Sequence, residues 1–481
     1  MNICRAAFLT LVFLASALAI GTHAADTNSL VWRADADRVS ADIHDEALWP
    51  LLEDIAHQTG WHIFVEPTAS HNSSVKFRNL PSGEALEKLL GTLNYAFVPQ
   101  TNGPQELYVF TTTIHNATRR VAAAAPPKAG PMRHVPNQLI VKLKPGADID
   151  ALAKARGARV VARNDKLGIY LLEFPDASAT DSALAGLQTD PAVAAVDYNY
   201  LYDAPVAAQP LAGAPNGNGP VSLTLDPNTT TDPCHPIVGL IDTGVQSLGS
   251  QLDPFLMKSI NVTGDATDLT STTPTHATAM AQTILRGVAQ QSTSAMPMAQ
   301  TVLRAAAQQG ASSSVRILPV NVYGNSETAS SWNVALGVQA AVDGGATVLN
   351  MSLAGSTDSA VLNDIINQAL ARGIVIFAAA GNQPVNTPNY PAAIPGVNAV
   401  TALGAPGQLA SYANYGNFVE MALPGTSVVY MDSQPWVVQG TSPATAYASG
   451  IAAGRKAVNC DSWPQIESAM ARQFTVPQKG N

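Results

Sequence analysis

The stretch Trp436-Val-Val-Gln-Gly-Thr-Ser-Pro-Ala-Thr-Ala-Tyr-Ala-Ser-Gly-Ile-Ala-Ala-Gly454 decides how the chain reads. Behind Gly440-Thr441-Ser442 comes a run of small residues: Ala444, Ala446, Ala448, Ser449, Gly450, Ala452 and Ala453. A helix of such residues can pass through the packed middle of a domain, close against its neighbours. Pro443 suits the first helical turn, where its missing N–H would have had no partner anyway. Ser442 then sits at the positive end of a buried helix, its hydroxyl beside backbone donors. That position suits a nucleophile, and it suits an ordinary N-cap serine equally well.

Upstream of this helix, short continuously apolar runs alternate with helical patterns. The runs are Pro236-Ile-Val-Gly-Leu-Ile241, Val315-Arg-Ile-Leu-Pro-Val320, Thr347-Val-Leu-Asn-Met351 and Ile374-Val-Ile-Phe-Ala-Ala379. Helical spacing separates them, as in Trp332 to Val342 and Ser359 to Ala371. Such a pattern predicts an α/β domain over residues 234–481, a doubly wound and mainly parallel sheet covered on both faces. One irregularity interrupts it: Met280-Ala-Gln-Thr-Ile-Leu-Arg-Gly-Val-Ala-Gln-Gln291 recurs as Met298-Ala-Gln-Thr-Val-Leu-Arg-Ala-Ala-Ala-Gln-Gln309. Five helical turns separate the copies, so both keep the same face, and the repeat reads as a local tandem duplication.

Four polar positions punctuate this domain. Asp242 ends the first apolar run in Gly239-Leu-Ile-Asp-Thr-Gly244. His276 stands in Thr275-His-Ala-Thr278, Asn382 closes Phe377-Ala-Ala-Ala-Gly-Asn382, and Ser442 comes last. Singly, each has a plain explanation as a turn former, a solvated loop histidine or a helix cap. In the order Asp, His, Ser on a parallel α/β scaffold they resemble a subtilisin-like serine protease, a subtilase. The resemblance runs from about Pro236 to Ala457. It includes Asn350-Met-Ser-Leu353, Asn389-Tyr-Pro391, Ser411-Tyr-Ala-Asn-Tyr-Gly416 and Leu423-Pro-Gly425.

The resemblance implies a serine-type endopeptidase acting on protein or peptide substrates. In it Ser442 is the nucleophile, His276 the base and later the acid, and Asp242 the group that orients the imidazole. It assigns the oxyanion to the Asn382 amide and the Ser442 N–H, and substrate binding to Ser352, Leu353, Ala354, Ala379, Ala380 and Gly381. Departures from the family surround these groups. Ala277, Ala279 and Gln282 replace a glycine, a histidine and a glycine, Pro443-Ala-Thr-Ala-Tyr447 comes after the serine, and Ala354 stands where a glycine normally walls the first specificity pocket. Asp242-Thr-Gly also fits an aspartic protease, which needs two such carboxylates; this chain has one such motif, which leaves only a homodimeric version.

Two small α+β domains are expected upstream. Residues 136–203 carry a β-α-β-β-α-β pattern, from the strand Gln138-Leu-Ile-Val-Lys-Leu143 to the last strand Ala194-Ala-Val-Asp-Tyr198. With Leu187-Gln-Thr-Asp-Pro-Ala-Val193 it resembles the propeptide of subtilases, which implies a folding template and inhibitor whose last strand lies in the substrate cleft. Residues 204–233, rich in Pro, Ala, Gly and Thr, read as a linker open to self-cleavage. Residues 25–115 alternate strand and helix patterns. Through Val39-Ser-Ala-Asp-Ile43, Leu51 to Gly60 and Leu80 to Leu90 they resemble the short N-terminal domain of secretins and TonB-dependent receptors. That resemblance implies an envelope protein as partner. Residues 116–135 read as a second linker.

Bulk properties bound the function. The 481 residues carry a net charge of −9 with only 13% charged residues and no basic block, which argues against nucleic acid. Arg5 followed by the apolar run Ala6 to Ile20, with cleavage sites at Thr22-His23-Ala24 and His23-Ala24-Ala25, predicts a signal peptide over residues 1–24. The competing reading is an uncleaved anchor. After cleavage the expectation is an exported protein, periplasmic or secreted, with no membrane span. Cys4 would leave with the signal, and the even pair Cys234 and Cys460 then suggests a disulfide. No cofactor is expected. Asp253, Asp265 and Asp268 lie in loops, but their spacing matches no calcium loop, so structural calcium has no motif behind it. Two functional readings remain: an exported, self-inhibited endopeptidase, or a weak or inactive subtilase scaffold serving protein–protein interaction or signalling.

Overall fold

A computed structural model describes residues 29–33, 37–66, 69–98, 105–112, 119–120, 133–210, 223–228, 232–290, 312–404 and 407–477. The expected signal peptide and the second copy of the duplicated segment lie outside the described residues. The chain forms two compact units, Met1–Ala125 and Pro126–Asn481.

In the first unit, helices α1 (Leu48–Thr59) and α2 (Ser82–Leu90) pack with two sheets. Strands 29–33, 38–47 and 72–80 form one, and strands 94–98, 106–110, 62–65 and 119–120 the other. Apolar residues at i, i+3 and i+4 explain the first helix: Leu48, Leu51, Leu52, Ile55 and Ala56 are all buried. They share a core with Ile63, Leu89, Leu90, Leu107 and Val109. Gly60 ends α1 in the left-handed region (φ 70°), as a C-cap glycine does.

The second unit begins with the propeptide-like module. Strands 193–203, 134–143, 169–173 and 159–164 pair antiparallel in that order, with α3 (Ile149–Arg156) and α4 (Ala177–Gln188) packed on the sheet. Its other face lends Ile140, Leu167, Ile169, Leu171 and Tyr202 to a core shared with the peptidase region. The last strand runs five residues beyond the expected Tyr198, because Leu201–Asp203 pair antiparallel with Thr328–Ser330 of the peptidase region. A local pattern cannot show such a long-range pairing. Asp197 and Asn199 meet the N-termini of two peptidase helices, α6 (Ser331–Asp343) and α7 (Ala360–Ala371): Val361 N donates to Asp197 Oδ2 (2.8 Å) and Trp332 N to Asn199 Oδ1 (3.1 Å). These acceptors satisfy orphan donors of the first turns.

The peptidase region is the α/β domain that its apolar runs predict. Seven parallel strands lie in the spatial order 260–261, 316–321, 237–242, 348–351, 375–379, 398–403 and 421–424. Helices α6 and α7 cover one face. Helices α5 (His276–Gln290), α8 (Thr441–Asn459) and α9 (Trp463–Gln473) contribute to the core of the other. The small residues of α8 are explained by its crossing with α5. A Cβ on Gly450 would lie 2.0 Å from Ile284 O, and one on Gly287 2.7 Å from Tyr447 O. Parts of the expected linker 204–233 are held: Gln209–Pro210 pair with Trp436–Val437, Asp226–Pro227 pair with Ser312–Ser313, and Ala208, Leu223 and Leu225 are buried. A disulfide joins Cys234, just before the strand 237–242, to Cys460 at the C-cap of α8, with Cα atoms 5.5 Å apart. In the chain-entropy model, closing a loop of that length contributes about 5 kcal/mol.

Candidate active site

The site forms at the carboxyl ends of neighbouring parallel strands, where the strand order reverses and α/β sheets open a crevice. Strand 237–242 delivers Asp242 there, and strand 348–351 runs into Ser352. Ile241 pairs with Met351, so the next residues of the two strands, Asp242 and Ser352, stand side by side about 5 Å apart.

Asp242 is buried and accepts from Thr243 N (2.6 Å) and from His276 Nδ1 at 3.0 Å (Oδ1) and 2.8 Å (Oδ2). A carboxylate only accepts, so Nδ1 carries the proton and Nε2 of the neutral ring is left as the basic atom. His276 is the first residue of α5. Thr275 caps this helix, its Oγ1 accepting from Thr278 N (3.1 Å) and donating to Gly244 O (2.7 Å). Ala277 N donates to Thr243 Oγ1 (3.1 Å), a backbone bond that needs no glycine. Gln282 hydrogen-bonds both backbone groups of Tyr430, through Nε2 to the carbonyl (2.6 Å) and from the N–H to Oε1 (2.8 Å). The departures on this helix are therefore accommodated.

Ser442 lies in the first turn of α8, and Gly440 (φ 142°), not Ser442, is the N-cap. The serine hydroxyl is thus not spent on capping. It donates to Ser352 O at 3.4 Å and makes no hydrogen bond to His276. Ser352 Oγ in turn bonds Ser442 O (3.4 Å) and accepts from Asn350 Nδ2 (2.9 Å). Pro443 occupies the same first turn, where N–H groups lack intrahelical partners.

Asn382 Oδ1 accepts from Thr441 N (2.9 Å) and Thr441 Oγ1 (3.0 Å). A backbone N–H cannot accept, so the amide orientation is fixed and Nδ2 is turned away from Thr441. Thr441 is a site residue that sequence reasoning passed over, although it lies inside the Gly-Thr-Ser signal itself.

A cleft of about 440 Å³ is lined by Ser352, Leu353, Ala354, Ala379, Gly381, Asn382 and Ser442, with Gly355, Ser356, Gln383, Asn389 and Thr441 beside them. Ala380 differs from expectation. It is fully buried and is not among the lining residues, since alternation along its extended segment turns it away from its neighbours. Arg133, Leu201 and Asp203 of the propeptide-like module line the same cleft, as does Pro205 just beyond its last strand. Tyr323 Oη donates to Asp203 O (3.3 Å). Burial pushes this phenol well above its ordinary pKa, with the Asp242 charge adding to the effect, so it stays a donor. Two of the loop acids are engaged in turns: Asp253 accepts from Leu248 N (2.6 Å), and Asp268 from Thr270 N (2.9 Å).

A parallel α/β sheet with a serine, an aspartate-held imidazole and an oriented amide at one edge has the parts of a serine hydrolase. Comparison with known proteins then fixes the family. The pattern described as Subtilase family matches residues 235–477, and the one described as Fervidolysin N-terminal prodomain matches residues 120–199. The chain belongs to the subtilase family of serine-type endopeptidases and carries a prodomain of that kind. It is 28% identical over 339 residues to the thermophilic serine proteinase of Bacillus sp. (strain AK1), covering 66% of this chain and 78% of that protein. Thermitase of Thermoactinomyces vulgaris is 36% identical over 150 residues, 30% of this chain and 54% of thermitase. Among solved structures, fervidolysin from Fervidobacterium pennivorans, a keratinolytic enzyme related to subtilisin, superposes with a TM-score of 0.53 at 16% identity. The match covers 73% of this chain and 63% of that one, and shows a shared fold. The chain thus spans less than two thirds of thermitase and of fervidolysin.

Proposed function

We propose that the chain is an exported serine endopeptidase, made as a self-inhibited precursor, with Ser442 as nucleophile, His276 as general base and Asp242 as its orienting partner. The observation that carries this reading is the imidazole held by Asp242, at the end of the strand beside the one that runs into Ser352, whose carbonyl receives the Ser442 hydroxyl. Rotation of the Ser442 side chain away from Ser352 O frees the hydroxyl to give its proton to His276 Nε2 as Oγ attacks the scissile carbonyl. The oxyanion that forms is met by Asn382 Nδ2 and the Ser442 N–H. The protonated ring then hands its proton to the leaving amine, and water repeats the sequence to release the acyl group.

Inhibition is supported by the prodomain residues Leu201 and Asp203, which line the cleft where substrate would lie. Export is supported by the apolar run behind Arg5. For the first unit the proposal is envelope docking, supported by its separate core and by its resemblance to the short N-terminal domain of secretins. Ala354 and Asn389 beside the cleft favour short side chains in the first specificity pocket.

Labelling with a fluorophosphonate, followed by peptide mapping, tests the nucleophile. The adduct is expected on Ser442 and absent from a His276→Ala variant. Unlabelled protein would sink the reading.

A further inference from the structure

The segment that carries Asn382 into the cleft is pinned along its length from outside. Ala380 N donates to Val400 O (2.9 Å), and Ala380 O accepts from Asn389 Nδ2 (3.2 Å). Gly381 N donates to Thr441 Oγ1 (3.2 Å). The two remaining anchors come from a single residue. Asn414 N donates to Gly381 O (3.0 Å), and Asn414 Oδ1 accepts from Gln383 N (2.7 Å). Asn414 therefore grips the chain on both sides of Asn382, once with its main chain and once with its side chain.

Asn414 is fully buried, and Thr401 Oγ1 donates to its carbonyl. Its Nδ2 is buried with no hydrogen-bond partner among the described residues, a cost to stability that its acceptor must offset. It also lies close against the chain it holds. Gly381 has φ +110°, and a Cβ there would lie 2.7 Å from Asn414 Nδ2 and 2.2 Å from Asn389 Nδ2. No other residue fits that position. An apolar side chain at 414 would leave Gln383 N without its acceptor and free the peptide after Asn382 to turn.

We propose that Asn414 is a positioning residue for the oxyanion donor. By fixing the peptides on either side of Asn382, it holds Nδ2 toward the place where negative charge develops. Donors of this kind stabilise a transition state because they need no reorganisation when the charge appears. Asn414 touches no substrate and acts only through Asn382, so the proposal rests on the reading of Asn382 and Ser442 given above.

The test measures kcat and KM on a peptide substrate for the full chain, per site titrated with a fluorophosphonate, so that misfolded protein is not counted. Asn414→Ala is expected to lower kcat by about ten- to a hundredfold with KM within about twofold, short of the roughly 10²–10³ lost when such a donor is removed outright. Asn414→Asp, which keeps the acceptor for Gln383 N, is expected to recover most of kcat. Combining Asn414→Ala with Asn382→Ala is expected to cost no more than Asn382→Ala alone. A full additive loss in the double variant, or a loss confined to KM, overturns the proposal. If Asn414→Ala yields no titratable site, Asn414→Asp decides: parental kcat supports the role, and a loss as large as that of Asn382→Ala contradicts it. Parental kcat in Asn382→Ala overturns the donor assignment itself, an outcome distinct from failure at Asn414.

Discussion

Asp197, on the last prodomain strand, accepts a hydrogen bond from Ser359 Oγ at 2.9 Å and another from Val361 N, so it joins Ser359, the N-cap, in satisfying the first turn of a peptidase helix. Burial pushes the Asp197 carboxyl above its usual pKa, and the nearby Asp358 charge adds to this against the hydrogen bonds from Val361 and Ser359. A docked carboxyl with a raised pKa holds its proton more tightly than the free one. Docking is therefore strongest below the ordinary carboxylate pKa and weakens as pH rises through the docked pKa. Asp197→Asn keeps an acceptor oxygen and removes the charge. The expected outcome is a longer lag before peptide hydrolysis at neutral pH and a flatter pH dependence of that lag. A shorter lag would show that the charge itself holds the prodomain.

The tether between prodomain and peptidase is held on both sides of the cleft. Ala204 N donates to Glu327 O (2.7 Å), and Gln209 pairs with Val437, three residues before Gly440. Pro205 lines the cleft together with Ser442. A cut made by the chain's own serine is therefore expected within residues 204–208. Mass spectrometry of the matured peptidase should find its first residue between 205 and 208. A start at 211 or beyond would mean that the bond is cut by another molecule or after the tether has left the cleft.

Arg286, in α5, is 8% exposed, and its Nε and Nη2 have no hydrogen-bond partner among the described residues. Burial lowers its pKa, with Tyr447 and Tyr430 opposing the shift. A buried charge without a carboxylate partner costs stability, whereas an unbranched apolar side chain fills the same space freely. Arg286→Met is predicted to stabilise the peptidase by about 1–2 kcal/mol, a rise of roughly 2–8 °C in Tm. A fall in Tm on calorimetry would reveal a structural role for the guanidinium.

Much of this architecture was legible because buried parallel strands are written locally. The apolar runs ending near Ile241, Val320, Met351 and Ala379 all lie in the central sheet. Of the four polar residues read from the sequence, Asp242 and His276 are joined by hydrogen bonds and Asn382 and Ser442 line one cleft, at strand ends and helix starts that the sequence marks. What the sequence hid is non-local. The extension of the last prodomain strand depends on a partner more than a hundred residues away, at Thr328–Ser330. Asn414 reads as one polar residue in a loop, and only the folded chain brings it against Gly381 and Gln383. The departures at Ala277 and Pro443 are accommodated for a similar reason: the first is held through its backbone and the second lies where no N–H is needed.

The central claim is that Ser442, served by His276, breaks peptide bonds. Its most direct measurement compares the purified full chain with its Ser442→Ala variant, following both self-cleavage of the precursor and hydrolysis of an unstructured peptide. The parent is expected to separate into prodomain and peptidase and to turn over peptide. The variant should stay intact, with turnover lower by about 10⁶, the magnitude known for loss of the nucleophile in subtilisin itself. Equal cleavage patterns and equal turnover in the two proteins would contradict it.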